Sequence, residues 1–160
     1  MEIPETRSGV TKRVGVAEYA VLERGALSTS GLGSCVAVAI YEPGGPGGLL
    51  HAMLPHADTV PGVCPAKCVD TGVSALFDAL LAVGADEDGL VAKLVGGSAM
   101  LDLTGPAIGD RNVIAAREML ATNSIPVLAE DVGGKHGRSV RLFLSTGDLR
   151  VRSGESVTLL

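Results

Sequence analysis

Glycine and proline recur so often in this sequence, 22 and 8 times, that most of the apolar segments between them are too short for anything but strands. Glycine supplies backbone conformations closed to other residues and proline removes a ladder donor, so both interrupt regular structure. The segments left between them are rich in Val, Ile, Leu and Ala, and predict strands near 18–22, 35–41, 48–54, 90–95, 125–129, 139–144 and 149–151. Within 139–151, Val140, Leu142 and Leu144 alternate with polar neighbours, Thr146-Gly147-Asp148 turns the chain, and Leu149 and Val151 resume the alternation. That pattern describes a hairpin with one wet face.

Helical spacing is confined to two segments. Residues 67–83 place Val69, Val73, Leu76, Leu80 and Val83 on one stripe, and Gly84 stops them; residues 111–122 do the same with Val113, Ala116 and Leu120. Asp110 stands before the second, where its carboxylate can accept hydrogen bonds from early backbone N–H groups, and Arg117 and Glu118 read as solvated charges. Strands outnumber helices, so the expected fold is a layered α+β domain with two main helices. Residues 1–9 read as a polar, flexible N-terminal segment and 10–160 as a single domain. The loop at 55–66, with Pro55, Pro61, Gly62 and Pro65, is the longest irregular stretch and could cover a site.

Composition narrows the function classes. At 160 residues and 46% hydrophobic, the chain can bury a core without staples. Aromatic residues make up 2%, with no Trp, and the formal net charge is -5, so there are few platforms for stacking bases and no overall attraction to phosphate. Nucleic acid is therefore not an expected partner. Charges from Glu2 to Arg24 leave no apolar stretch in the first thirty residues for export or membrane insertion, and a cytoplasmic location is expected. In that compartment the odd set Cys35, Cys64 and Cys68 reads as free thiols.

Cys35 ends the glycine-rich stretch Thr29-Ser30-Gly31-Leu32-Gly33-Ser34 and begins an apolar strand. Glycines there permit close approach of a substrate carbonyl and leave backbone N–H groups to meet an oxyanion. The plainer reading is a small hydrophobe entering a buried strand. His51 bears on the choice, because it lies on what reads as the strand paired with that of Cys35, and an imidazole is the usual means of activating a thiol. Thr29 offers a hydroxyl to orient that imidazole, or else bonds its own turn. His51, His56, Cys64 and Cys68 include metal-ligand types, but the Cys64–Cys68 spacing fits structural zinc poorly and a metal on His51 would remove the base; no metal is expected. Gly96-Gly97-Ser98 lacks the Lys-Ser/Thr of a phosphate loop and reads as a backbone turn.

Several segments, in order, resemble the CheD chemoreceptor glutamine deamidases: Leu32-Gly33-Ser34-Cys35-Val36-Ala37-Val38, His51-Ala52-Met53-Leu54-Pro55, Ala92-Lys93-Leu94-Val95-Gly96-Gly97, Ile108-Gly109-Asp110-Arg111-Asn112-Val113, and Glu130-Asp131-Val132-Gly133-Gly134 with Gly137-Arg138. The likeness runs from about Val16 to Val151. It implies an α/β/β layered sandwich related to the catalytic domains of cytotoxic necrotizing factor toxins. It also implies that Cys35 is the nucleophile, His51 the general base and Thr29 the hydroxyl completing a triad that acts without a cofactor. The implied substrate is the cytoplasmic helical bundle of chemoreceptors, whose glutamines become glutamates through a cysteine thioacyl intermediate. A CheC-type phosphatase is the implied second partner, and regulation of that phosphatase by binding alone is the rival reading. Two departures stand out: Cys68 occupies a position in Lys67-Cys68-Val69-Asp70 where an aromatic residue is common, and Ser98 stands where a small apolar residue is usual.

Overall fold

The structure, a computed structural model, describes residues 10–59, 62, 64–99 and 107–160. The expected segment 1–9 lies outside the described residues. Among the described residues, ten strands form two five-stranded sheets. The first has the order β1 (Thr11–Arg13), β3 (Ala26–Leu32), β8 (Arg138–Phe143), β9 (Asp148–Ser153), β10 (Ser156–Leu159). The second has the order β2 (Glu18–Leu22), β5 (Gly47–Ala52), β4 (Val36–Tyr41), β6 (Val91–Gly96), β7 (Val127–Val132). Helices α1 (Val69–Ala82) and α2 (Ile108–Thr122) cover the outer side of the second sheet. The result is the layered α/β/β arrangement, with two cores.

The middle layer explains why its strands read as continuous apolar runs. Every residue of β4 and β5 is buried, because both faces of that sheet are covered. Val36, Val38 and Ile40 meet the helices, packing with Leu50, Val73, Leu76 and Leu80. Ala37, Ala39 and Tyr41 point the other way, into a second core with Leu27, Leu49, Val95, Leu142 and Leu149. Lys93 is buried at this level, donating from Nζ to the carbonyls of Gly147 (2.7 Å) and Leu160 (2.8 Å), with the Tyr41 ring centroid 5.6 Å away.

The β8–β9 hairpin matches its expectation, pairing Val140 with Val151 and Leu142 with Leu149 on the buried face. Helix α1 buries Val69, Val73, Leu76 and Leu80 of the stripe read from its spacing, but it ends at Ala82, so Val83 falls at the cap position and is exposed, and Gly84 follows with φ +94. Helix α2 begins earlier than its periodicity suggests. Asp110 lies inside its first turn rather than before it, and Ala107 at the cap position makes no side-chain cap bond. What fixes that turn is close backbone contact: a Cβ on Gly109 would meet the Gly97 and Ser98 carbonyl groups at 2.6 Å. Arg117 is not simply solvated, since its Nε and Nη2 donate to the two carboxylate oxygens of Glu130 at 2.8 and 2.6 Å.

Three strands escaped the sequence reading: β1, β3 and β10. Each is short or dominated by hydroxyl and charged residues. In β3, Leu27 and Thr29 are buried while Ser28 and Ser30 face out, and the inward polar residue hides the alternation. The stretch read as a glycine-rich turn from Thr29 is therefore strand as far as Leu32, and only Gly33–Cys35 turns the chain into β4.

Candidate active site

The strand register brings two of the three candidate residues into line. His51 on β5 is directly opposite Ala37 on β4. Cys35, two residues before Ala37, is then diagonal to His51, a relationship in which Cα atoms typically lie about 7–8 Å apart and long side chains meet. Both face the space between the sheets: Cys35 packs partly buried against that inner core, and His51 is fully buried.

Thr29 reaches the same space from the opposite sheet. Its Oγ1 lies 2.7 Å from His51 Nδ1 and donates to the Val14 carbonyl, also at 2.7 Å. A hydroxyl has one proton. With that proton on Val14, Thr29 can only accept from the ring, so Nδ1 carries hydrogen and Nε2 holds the lone pair. Nε2 is buried and has no hydrogen-bond partner among the described residues. Val14 is itself held by its N–H to the Ser28 carbonyl (2.7 Å), and the Ala17 N–H bonds the His51 carbonyl (2.9 Å) with Ala17 at φ +60. The turn between β1 and β2 thus closes over the Thr29–His51 pair.

Electrostatics set the resting protonation. Burial pushes the Cys35 thiol above its ordinary range, opposed in part by a bond from its own backbone N–H, and burial holds the His51 imidazole below its ordinary range. Both shifts favour the neutral thiol beside the neutral imidazole over the ion pair.

A polar frame that sequence reasoning did not assign holds the Cys35 turn. Asn112, fully buried on α2, donates from Nδ2 to the carbonyls of Ser34 (2.9 Å) and Met53 (3.0 Å), tying the residue before Cys35 to the strand end after His51. The Gly97 N–H bonds the Cys35 carbonyl at 2.8 Å, and Ser98 donates to the Gly33 carbonyl through both N–H (2.9 Å) and Oγ (2.8 Å). Gly96 and Gly97 have φ +112 and +65, and a Cβ on Gly96 would stand 2.4 Å from the Cys35 carbonyl oxygen. Gly96-Gly97-Ser98 is the backbone turn expected, and it serves the cysteine. The signal for Asn112 lay in its helical spacing, one turn from Ile108 and from Ala116, which sets a lone amide on the apolar face of the helix.

Cys64 and Cys68 stand apart from this arrangement. Cys64 is exposed, with Sγ 3.8 Å from the Ala17 carbonyl, while Cys68 is buried just before α1, where burial raises its thiol pKa, helped by the nearby Asp70 carboxylate. His56 Nδ1 lies 3.7 Å from Asp70. Among the described residues no cluster of His, Cys, Asp and Glu has the makings of a metal centre. No helix there is long and apolar enough to cross a membrane.

Comparison with known proteins places these observations in a family. Residues 53–153 match the model for CheD chemotactic sensory transduction proteins, a span that begins two residues beyond His51. A relative from Haloarcula marismortui, named a probable chemoreceptor glutamine deamidase CheD, is 45% identical over 99% of this chain and 95% of its own length. Two solved structures show a more distant likeness: Bacillus licheniformis hypothetical protein YfiH, with TM-score 0.49 and 15% identity over 71% of this chain and 49% of that one, and the C-terminal domain of CNFy from Yersinia pseudotuberculosis, with TM-score 0.44 and 9% identity over 92% and 61%.

Proposed function

The chain belongs to the CheD family, and from that premise we propose that it deamidates glutamine side chains of chemoreceptors, with Cys35 as nucleophile, His51 as general base and Thr29 as the group orienting it. The observation that carries this reading is the Thr29 Oγ1 to His51 Nδ1 contact of 2.7 Å, which leaves the buried Nε2 without a hydrogen-bond partner among the described residues.

The thiol starts protonated, so attack requires His51 Nε2 to take the proton as the sulfur bonds to the carboxamide carbon. The carbonyl electrons move onto oxygen, where the Cys35 N–H is the donor we place on the oxyanion. Collapse of that adduct expels the amide nitrogen, which takes the proton from the imidazolium and leaves as ammonia. Water then attacks the thioacyl carbon, giving a proton to Nε2, and the thiol is restored as glutamate leaves. These steps balance without a cofactor. We place the protein in the cytoplasm, where a receptor's cytoplasmic helical bundle is accessible.

The test is intact-mass and peptide mapping of a receptor cytoplasmic fragment after incubation with wild-type or Cys35→Ala protein. Conversion of glutamine to glutamate by the wild type alone supports the reading. No conversion by either, with both folded, would favour the rival role of a module that binds a CheC-type phosphatase.

A further inference from the structure

The first sheet turns one face to the core and the other to solvent, and the solvent face is strongly basic in a chain whose net charge is -5. Arg13 on β1 lies opposite Ser28 on β3, Ser28 opposite Arg141 on β8, and Arg141 opposite Arg150 on β9. The neighbouring row sets Ser139 opposite Arg152. Four guanidinium groups therefore ring a floor of small hydroxyl residues, a depression of about 250 Å³.

None of the four has an acidic partner among the described residues. Arg13 donates to the Ser30 hydroxyl, and Arg150 lies over the Phe143 ring, 5.5 Å from its centroid. Asp148, on the same face of β9, is opposite Phe143 at the far end and forms no ion pair with them. Like charges directly opposite on neighbouring strands are destabilising, so the Arg141–Arg150 pair is a liability to the fold taken alone. Beside the arginines, Val157 and Leu159 on β10 are opposite Arg152 and Arg150 and are exposed. Unpaired guanidiniums bordered by exposed aliphatic side chains fit a folded protein surface that carries carboxylates. A long nucleic acid or an anionic membrane would also meet the acidic remainder of the molecule.

One member of the site, Thr29, lies on β3, the strand that supplies the floor of this face. Ser28 and Ser30 point out on either side of Thr29, which points in to His51. We propose that this arginine face docks a carboxylate-bearing surface of the chemoreceptor substrate and presents its glutamines to the Cys35 cleft, an inference that rests on the deamidase reading. Specificity then comes from charges surrounding the target glutamine, read one strand away from the chemistry.

The test uses the full chain, a receptor cytoplasmic fragment as probe, and Arg150→Glu. That substitution sets a carboxylate opposite Arg141 and removes the repulsion, so its melting temperature is expected to equal or exceed the wild type's. Affinity for the fragment, measured in a Cys35→Ala background that cannot turn over, is expected to fall about tenfold or more. The wild-type arginine face should also lose affinity as salt rises, more steeply than the variant. With Cys35 present, kcat/KM on the fragment should fall in step, while turnover of a short uncharged glutamine peptide stays unchanged. Equal affinity and equal salt dependence with and without Arg150→Glu would overturn the docking face, as would tighter binding of a homopolymer RNA than of the fragment. Failure of the deamidase reading has a different signature: a fragment that binds through the arginines but is converted by neither protein.

Discussion

Thr29 and His51 sit on different sheets, 22 residues apart in the chain, with 2.7 Å between Oγ1 and Nδ1, and the Val14 carbonyl fixes which of them donates. The tautomer of the imidazole is thereby decided by a backbone oxygen that acts on the ring through the Thr29 hydroxyl.

Thr29→Val should therefore leave Nδ1–H buried without an acceptor and release the tautomer. Leaving such a donor unpaired costs about 1–3 kcal/mol. The expected outcome is a kcat lower by about tenfold or more, each tenfold corresponding to about 1.4 kcal/mol, with KM little changed and Thr29→Ser restoring most of the rate. Steady-state kinetics on a receptor fragment check it; a Thr29→Val enzyme at wild-type kcat would remove Thr29 from the machinery.

The pH dependence follows from the two shifts at the site. A free thiol titrates at about 8.5. Burial raises Cys35 above its ordinary range, so its thiolate fraction at neutral pH is below that of a free cysteine. Alkylation of Cys35 by iodoacetamide should climb with pH through neutrality and level off only on the alkaline side. His51 is lowered, so it stays neutral, and competent as a base, to a pH below the ordinary imidazole range of about 6.5. The acid limb of kcat/KM should accordingly fall below that range. The measurement is the alkylation rate in a Cys64→Ser, Cys68→Ala background, and a plateau already reached at neutral pH would mean a resting thiolate instead.

Asn112→Leu keeps roughly the volume and removes both donors. The carbonyls of Ser34 and Met53 would then be left without the amide, at a cost of about 2 kcal/mol or more. Denaturant unfolding should show that loss. Kinetics should show a fall in kcat as the Cys35 turn loosens. Asn112→Asp should be worse, since it sets an acceptor against two acceptors.

Gly96→Ala brings a Cβ to 2.4 Å from the Cys35 carbonyl oxygen at a φ of +112. The backbone conformation alone costs a non-glycine residue about 1–3 kcal/mol, and the clash is with main chain that cannot rotate away. Thermal unfolding should fall by several degrees and Cys35 alkylation should change with it. Gly154→Ala, with φ +61 and open space around it, provides the control: strain without contact at the site.

Local pattern carried much of this architecture. The stripe Val69-Val73-Leu76-Leu80 and the alternation at 140–151 each state which side of an element is buried, because burial of one face is what periodicity records, while the unbroken apolar run 35–41 states burial on both faces. Pairing of adjacent strands then set Cys35 beside His51, and the expected β4–β5 hairpin is the one observed. Strand β3 was illegible for the same reason: its inward polar residue, Thr29, breaks the alternation because it is satisfied by His51 and Val14, partners that no local window contains. Asn112 bridging Ser34 and Met53 likewise depends on how α2 packs on the second sheet, and Arg13 is brought level with Arg141 and Arg150 by pairing of strands remote in the chain within the first sheet. The sequence by itself determined both helices and seven of the ten described strands, most of their buried faces and the cysteine–histidine neighbourhood, all of which follow from short-range alternation and hairpin geometry. The tertiary structure alone decided the histidine tautomer, the clamp on the cysteine turn and the basic outer face, because hydrogen bonding and charge clustering depend on distances between residues remote in the chain.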